Sequence, residues 1–276
     1  MDKNIINFSV LMSIYYKEKP EYFNRCMHSI WNEQTIKPNE IVLVLDGKLT
    51  DDLYKVINYW KDKLGSLFKV IPQNKNLGLG EALNIGLKNC SYELIARMDT
   101  DDIATPKRFE KQLEVLKNKD IDICSSWVSE FSIDEDIILS YRKVPEKHQE
   151  IIEFAKKRNP LNHPAVMYKK AVVLRVGGYK HMLWFEDYYL WVRMILNGAR
   201  FYNIQEPLVN MRADFNQLSR RSGIRYAKEE AKFLKELKNI QFINEKEYFN
   251  NLLLRASIRL APKFIIKRIY KVFRSL

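Results

Sequence analysis

Ile95-Ala-Arg-Met-Asp-Thr-Asp-Asp102 is a short apolar run that stops abruptly in three carboxylates within four residues. Carboxylates this close repel one another, and repulsion drives at least one of them to keep its proton unless a cation is shared. A hard divalent ion that also carries nucleotide phosphates is a common way to keep such a group ionised. The competing reading is a loop and cap ahead of Pro106 and the helical pattern of Arg108 to Lys117, with proline in a first turn. Position decides between them: Leu94 to Met98 reads as a buried strand, and open α/β sheets collect ligands beyond the carboxyl ends of their strands.

Working outward, the same unit recurs. Phe8 to Ile14, Glu40 to Leu45 and Phe68 to Ile71 are further apolar runs with β-branched content. Segments of helical periodicity lie between and after them: Phe23 to Glu33, Leu53 to Lys63, Gly80 to Lys88 and Arg108 to Lys117. Alternation of this kind predicts right-handed crossovers and a mostly parallel central sheet with helices on both faces. Asp122 to Ser126 extends the series, and Ile121 to Phe131 and Ile137 to Arg142 add strands to the sheet. No G-x-G-x-x-G follows the first strand and no G-x-x-x-x-G-K-[ST] occurs, so dinucleotide and P-loop sites lose their main support. The glycine-rich Asn76-Leu-Gly-Leu-Gly80 opens the third helix. It reads equally as a turn with Asn76 as a local cap or as an anion-binding helix start.

These motifs, in this order, resemble the family 2 glycosyltransferases of GT-A fold, in particular bacterial enzymes of O-antigen, capsule and exopolysaccharide assembly. The resemblance spans about Phe8 to Ser219. It rests on Ser9-Val-Leu-Met-Ser-Ile-Tyr15, Glu40-Ile-Val-Leu-Val-Leu-Asp-Gly47, Asn76-Leu-Gly-Leu79 with Ala82-Leu-Asn84, Ala96 to Asp102, Asn162-His-Pro-Ala-Val-Met167, Gly177-Gly-Tyr179 and Phe185-Glu-Asp-Tyr-Tyr-Leu-Trp191. Two departures stand out. Tyr15-Tyr-Lys-Glu18 stands where the family often has a Tyr-Asn pair followed by a glutamate, which leaves a donor contact from Glu18 open, and Asp46 follows a leucine where a second aspartate is common.

The resemblance implies a UDP-sugar donor held by Ser13, Tyr15, Asp46, Asn76, Gly78, Arg97, Asp99 and Asp101. It also implies a Mn²⁺ or Mg²⁺ ion on Asp101 and Asp99, and acceptor contacts from His163, Trp184 and Glu186. Arg97 reads equally as a structural ion pair, His163 as a buried structural histidine, and Asp102 as a cap of the next helix. Asp187 is the expected general base. Glu186 and Asp187 open a segment in which Leu190, Trp191, Met194 and Ile195 recur at helical spacing, which places both acids at a positive helix end. Trp184, Phe185, Tyr188 and Tyr189 offer flat rings as sugar platforms. Met211-Arg212 and Ser219-Arg-Arg221 fall where the family places a loop over the donor phosphates.

The implied reaction is inverting transfer of a hexose, glucose or galactose, to a polyprenyl-diphosphate-linked saccharide, with formation of a β-glycosidic bond. A sugar nucleotidyltransferase needs a basic glycine-rich loop after the first strand, which Ser13-Ile-Tyr-Tyr-Lys-Glu18 does not supply. A non-catalytic membrane-surface or carbohydrate-binding protein of the same fold is the rival from another class.

Charge agrees with an anionic partner: 46 basic and 34 acidic residues give a formal +12. From Leu252 onward there are seven cations, Arg255, Arg259, Lys263, Lys267, Arg268, Lys271 and Arg274, and no acid. Interleaved with apolar residues and interrupted at Pro262, they read as two basic amphipathic helices suited to an anionic membrane surface. The duller reading is a helical pair packed on the catalytic domain. No nucleic-acid module accompanies the charge. No apolar run reaches the roughly 18 residues a bilayer span requires, the N-terminus does not read as a signal peptide, and Cys26, Cys90 and Cys124 suggest neither disulfides nor zinc. The expected location is cytoplasmic, peripheral to the inner membrane face. The expected organisation is a GT-A catalytic domain over 1–220, with a nucleotide-sugar half 1–102 and an acceptor half 103–220, followed by a basic helical tail 221–276.

Overall fold

The computed structural model describes residues 6–118, 120–213 and 223–260. The first four strands are β1 (Phe8–Ile14), β2 (Glu40–Leu45), β3 (Phe68–Pro72) and β4 (Leu94–Arg97). Their crossovers carry α1 (Pro20–Met27, continued by a π turn over His28–Asn32), α2 (Asp51–Leu64) and α3 (Leu79–Asn89). All four strands pair in parallel in the order β3-β2-β1-β4. The chain leaves β1 toward β2 and returns on its other side as β4. A crevice therefore opens at the carboxyl ends of β1 and β4, where the order reverses.

The second half adds β5 (Ile103–Ala104), α4 (Arg108–Asn118), β6 (Ile123–Phe131), β7 (Ser140–Arg142), α5 (His148–Ala155), β8 (Met167–Lys169), α6 (Lys170–Arg175), α7 (Glu186–Leu196) and β9 (Phe201–Arg212). Here the sheet is mixed. β8 runs antiparallel between β4 and β6, and β9 runs parallel to β6. Because β8 is inverted between them, β6 and β9 again point the same way as β4. Their carboxyl ends reach the same sheet edge as the acids after Arg97. The twelve-residue β9 escaped the sequence reading because Gln205, Glu206 and Pro207 interrupt its apolar alternation, and the register with β6 shifts beside them, between Ser126 and Val128.

Two apolar layers cover the sheet. Val10, Met12, Ile41 and Leu43 face Phe23, Leu53, Trp60 and Phe109 of α1, α2 and α4. Leu11, Val42 and Ile95 face Leu83, Leu87, Leu190 and Trp191 of α3 and α7. Alternate residues of one strand thus enter different cores, which is why these strands read as unbroken apolar runs. α2 starts where Thr50 caps the Leu53 amide at 3.4 Å, with Asp51 and Asp52 in its first turn.

α3 lies close on the sheet because Gly86 has no side chain. A Cβ there would stand 2.3 Å from Leu11 Cδ1 and 2.9 Å from Val44 Cγ2. Both neighbours are fully buried and have no room to yield. Gly86→Ala is expected to cost about 1–3 kcal/mol through overpacking, outweighing a helix-propensity gain of about 1 kcal/mol. A urea unfolding midpoint at or above that of the wild type would show that α3 can lift away without loss.

The C-terminal part forms α8 (Ile224–Asn239) and α9 (Glu245–Leu260). A third apolar cluster joins Tyr226, Phe233, Leu234 and Leu237 of α8 to Phe185, Tyr188, Tyr189 and Val192 on α7 and the residue before it. α8 packs on α7 through this cluster, and of the basic stretch read from Leu252 onward only Leu252 to Leu260, the end of α9, lies within the described residues. Arg255 and Arg259, two of the seven tail cations, point inward to the buried Glu230 at 2.8 and 2.9 Å. Lys263, Lys267, Arg268, Lys271 and Arg274, with the break at Pro262, lie outside the described residues.

Candidate functional site

The acidic turn leaves β4 at the reversal point. Arg97, 1% exposed, is the last residue of the strand and pairs with Asp99. Its Nε and Nη1 are buried and meet no hydrogen-bond acceptor, so the guanidinium keeps donor capacity for an anion. The turn is braced from below: Cys26 Sγ donates to the Asp99 carbonyl at 3.2 Å, and Thr100 Oγ1 donates to Glu18 at 2.7 Å. Glu18, on the loop after β1, thereby joins the acids. Its carboxyl is pushed up by burial and further by Asp99. Asp101 is pushed up to about 7 by burial, then by Asp99 and Glu18.

Asp102 has another task. Its Oδ1 accepts the Arg212 backbone amide at 2.8 Å, tying the turn to the end of β9; it does not cap α4. Arg212 lies over the Tyr22 ring at 3.7 Å and the Phe131 ring at 4.5 Å. It donates to the carbonyls of Asp101 and Ser132 at 3.3 and 3.1 Å. It holds the acidic turn by its backbone. Ser219 to Arg221 lie outside the described residues.

Among the described residues, no group of three or more His, Cys, Asp or Glu side chains forms a ready-made metal cage. The donor set nevertheless fits an octahedral hard cation. Mg²⁺ is usually bound by one or two carboxylates and completes its shell with water and substrate phosphate. Two half-buried aspartates at a strand end, one of them under-compensated, are of that kind.

Across the crevice, Asp46 after β2 is committed to the chain itself. Its carboxylate accepts the amides of Leu77 and Gly78 at 2.6 and 3.1 Å. Asn76 Nδ2 donates to the Asp46 carbonyl at 3.3 Å, so Asn76 is not the cap of α3. That place belongs to Gly78, whose φ of +89° suits glycine. Ser13 is half-buried in β1, and Tyr15 is exposed just beyond it.

The Gly177-Gly-Tyr179 motif is held by a side chain from α3. Asn84 Nδ2 donates to the Tyr179 carbonyl at 2.7 Å, and Asn84 Oδ1 accepts its amide at 2.8 Å. Gly178, at φ +67°, brings the loop so near that a Cβ would sit 2.4 Å from Asn84 Oδ1. Arg193 donates to the carbonyls of Val176 and Gly178 from the other side. The Tyr179 phenol is thereby fixed among the site's charges. Burial pushes it up, Arg97 pulls it down, and the carboxylates of Asp187 and Asp99 both push it further up. One buried ring therefore lies within electrostatic reach of the acidic turn and of the start of α7.

His163 belongs to the same group as a support. Its Nε2 lies 2.9 Å from Tyr179 Oη and its ring packs edge-on against Trp191. Burial, then the charge of Arg97, holds it well below the usual histidine range and so neutral.

Glu186 and Asp187 form the first turn of α7. Burial raises the Glu186 carboxyl, and Asp187 adds to the effect. Glu186 Cγ stands where a Cβ on Gly80 would come within 3.4 Å, which places it against the start of α3. Asp187 Oδ2 accepts Nδ2 of Asn159 at 2.7 Å, a residue in none of the motifs read from sequence.

The expected platform of four aromatic rings reduces to one. Phe185 stacks on Phe233 at 4.8 Å, Tyr188 donates to the Ala155 carbonyl and Tyr189 to Glu236. All three are core, because α8 covers their side of α7. Trp184 stays 39% exposed and stacks on Tyr226 at 5.0 Å. Its φ of +70° is unusual for a bulky residue and marks a place where the fold imposes strain.

Comparison with known proteins agrees with this geometry. The family model described as Glycosyl transferase family 2 matches residues 9–181. An Escherichia coli UDP-Gal:alpha-D-GlcNAc-diphosphoundecaprenol beta-1,3-galactosyltransferase is 40% identical over 275 residues, covering 98% of each chain. The amylovoran biosynthesis glycosyltransferase AmsE of Erwinia amylovora is 37% identical over 267 residues, covering 96% of this chain and 98% of its own. The mannosyltransferase PcManGT of Pyrobaculum calidifontis, solved with GDP-Man and Mn²⁺, superposes with a TM-score of 0.67 at 15% identity over 94% of this chain and 71% of its own. The fold is GT-A, as the motifs implied. From the ordered motifs, the family match and the near full-length relatives, this chain belongs to glycosyl transferase family 2 and is a glycosyltransferase.

Proposed function

We propose that the protein transfers galactose from UDP-galactose to a sugar carried on a polyprenyl diphosphate, with inversion, in the assembly of a surface polysaccharide. The observation that carries this reading is the end-to-end 40% identity with a relative named for that donor and that class of acceptor. The named relative forms a β linkage, so direct displacement from an α-linked donor is the matching chemistry.

Asp101, with Asp99 beside it, would hold Mn²⁺ or Mg²⁺. Bound there, the ion supplies charge neutralisation to the departing diphosphate. The chain's own residues do the rest. Arg97, through its unpaired nitrogens, and the start of α3 after Gly78, whose own amide Asp46 already holds, favour phosphate oxygens. Asp46 keeps that helix start in place. Asp187 takes the proton from the acceptor hydroxyl while its oxygen bonds to the anomeric carbon, and the carbon–oxygen bond to UDP breaks with its electron pair leaving on UDP. Such a base needs position more than a raised pKa, because the hydroxyl becomes acidic as the new bond forms. Trp184 and Glu186 face the acceptor, and His163 sets the Tyr179 ring.

We further propose that the C-terminal region meets an anionic membrane, on the cytoplasmic face where such a donor is made. No described helix is long and apolar enough to cross a bilayer. Phe249, Leu253 and Leu254 of α9 stand 56–68% exposed. The cations that follow them in sequence suit lipid headgroups.

Incubation of the full chain and Mn²⁺ with a synthetic GlcNAc-diphosphate lipid and UDP-galactose, UDP-glucose or UDP-GlcNAc tests the reading. Transfer is expected from UDP-galactose at least about tenfold faster than from the others, a discrimination of about 1.4 kcal/mol. Equal rates, or preference for another sugar, would reject the galactose assignment.

A further inference from the structure

The residue that meets the proposed base is itself held from a distance. Asn159 Nδ2 donates to Asp187 Oδ2 at 2.7 Å, while its Oδ1 accepts the Leu161 amide at 3.4 Å. The local turn therefore dictates which end of the amide faces the carboxylate. Pro160 restricts the Asn159 backbone to extended conformations, and the Pro160 carbonyl accepts Nδ2 of the fully buried Asn203 at 3.1 Å.

Just before Asn159, α5 ends at Ala155. The last carbonyls of a helix lack partners inside it. Here other helices satisfy three successive carbonyls. Tyr188 Oη donates to the Ala155 carbonyl at 2.5 Å, Asn251 Nδ2 to that of Lys156 at 2.8 Å, and Arg255 to that of Lys157. Arg255 is oriented by the buried Glu230, at 2.8 Å, which also takes Arg259 at 2.9 Å. α9 thus reaches back across 98 positions of sequence to fix the segment two residues ahead of Asn159.

We propose that Asn159 is a positioning residue for Asp187, and that Asn251 and Arg255 of α9 hold Asn159 in register, which makes the C-terminal helical pair part of the catalytic apparatus. This rests on the reading of Asp187 as the base. A general base must lie within hydrogen-bond reach of the proton it removes, and a misplacement of about 1 Å costs on the order of 100-fold in rate. An amide donor on one carboxylate oxygen, itself locked by a turn, fixes the carboxylate plane to that tolerance.

The test uses the full chain with Mn²⁺, UDP-galactose and the GlcNAc-diphosphate lipid. Its readout is UDP release, which counts transfer to acceptor or to water alike. Asn159→Ala is expected to lower kcat about 10- to 100-fold, with the UDP dissociation constant and the melting temperature unchanged. Arg255→Lys keeps the charge against Glu230 but loses the planar fork, and is expected to lower kcat about three- to tenfold with UDP binding intact. In an Asp187→Asn background, Asn159→Ala should cause no further loss, because it acts through the carboxylate already removed. A kcat for Asn159→Ala within twofold of wild type, a parallel loss of UDP affinity, or a fully multiplicative loss in the double variant would overturn the proposal. If Asp187→Asn itself turns over normally, the base assignment fails and takes the positioning role with it. If Asp187→Asn is inactive while Asn159→Ala is not, the positioning role fails alone.

Discussion

Asp187→Asn is expected to lower turnover about 1,000-fold while UDP affinity stays within about twofold of wild type, since a positioned base contributes 10²–10⁴-fold. The substitution is close to isosteric. The introduced amide oxygen still accepts the Asn159 Nδ2–H that Asp187 Oδ2 accepts now, so the first turn of α7 keeps its contact. What disappears is the capacity to receive a proton. A loss confined to turnover, with binding kept, is the signature of an interaction made only in the transition state. Steady-state rates with isothermal titration of UDP separate the two quantities. Retained turnover would mean that Asp187 is a first-turn acid serving the α7 dipole, and would favour a non-catalytic role for this end of the site.

Asp101→Ala is expected to weaken Mn²⁺-dependent UDP binding about 100-fold, equivalent to about 2.7 kcal/mol. In chelator the wild type should bind UDP as poorly as the variant does in Mn²⁺. The same substitution is expected to raise the melting temperature of the metal-free protein by about 2 °C or more, a shift equivalent to about 1 kcal/mol for a domain of this size. Asp101 sits among Glu18, Asp99 and Asp102, and burial with like charge makes its ionised form unfavourable. Removing one carboxylate relieves that repulsion. A protein stabilised by losing a residue it needs is the expected mark of a functional site. Calorimetry in Mn²⁺, in Mg²⁺ and in chelator, with thermal melts of both proteins, reads both effects. Metal-independent UDP binding, equal in the two proteins, would remove the metal assignment while leaving the nucleotide site standing.

The two acids lay open to sequence reading for different reasons. Asp101 was legible because a buried parallel strand is an unbroken apolar run, so the residue where polarity returns marks the carboxyl end of the strand. Asp187 was legible because helical spacing after it placed it in a first turn. Asn159 was not legible, and Glu18 was read only as standing near the place of the family's glutamate, not as a partner of the acids. Glu18 follows an atypical Tyr15-Tyr-Lys stretch, and a hydrogen bond from Thr100, 82 positions away, brings it to the acids. Asn159 looks like any polar residue before a proline, and its partner lies 28 positions on.

Local physics, then, was enough for the first four strands and β6, the parallel pairing of the first half, the strand-end acids and the helix-end acid, because each depends on periodicity or on residues within one turn of each other. The tertiary structure decided which side chains remain available for chemistry. Phe185, Tyr188 and Tyr189 are aromatic like Trp184, yet α8 covers those three and leaves Trp184 exposed. Asp46 and Asp102 carry the same group as Asp99 and Asp101, yet the backbone amides of Leu77, Gly78 and Arg212 occupy them. Arg255 and Arg259 belong to a run of tail cations, yet Glu230 turns them inward. A sequence pattern states that a residue will be buried or charged. Which partner satisfies it depends on where elements distant in the chain cross, because hydrogen bonds and apolar packing act only at contact.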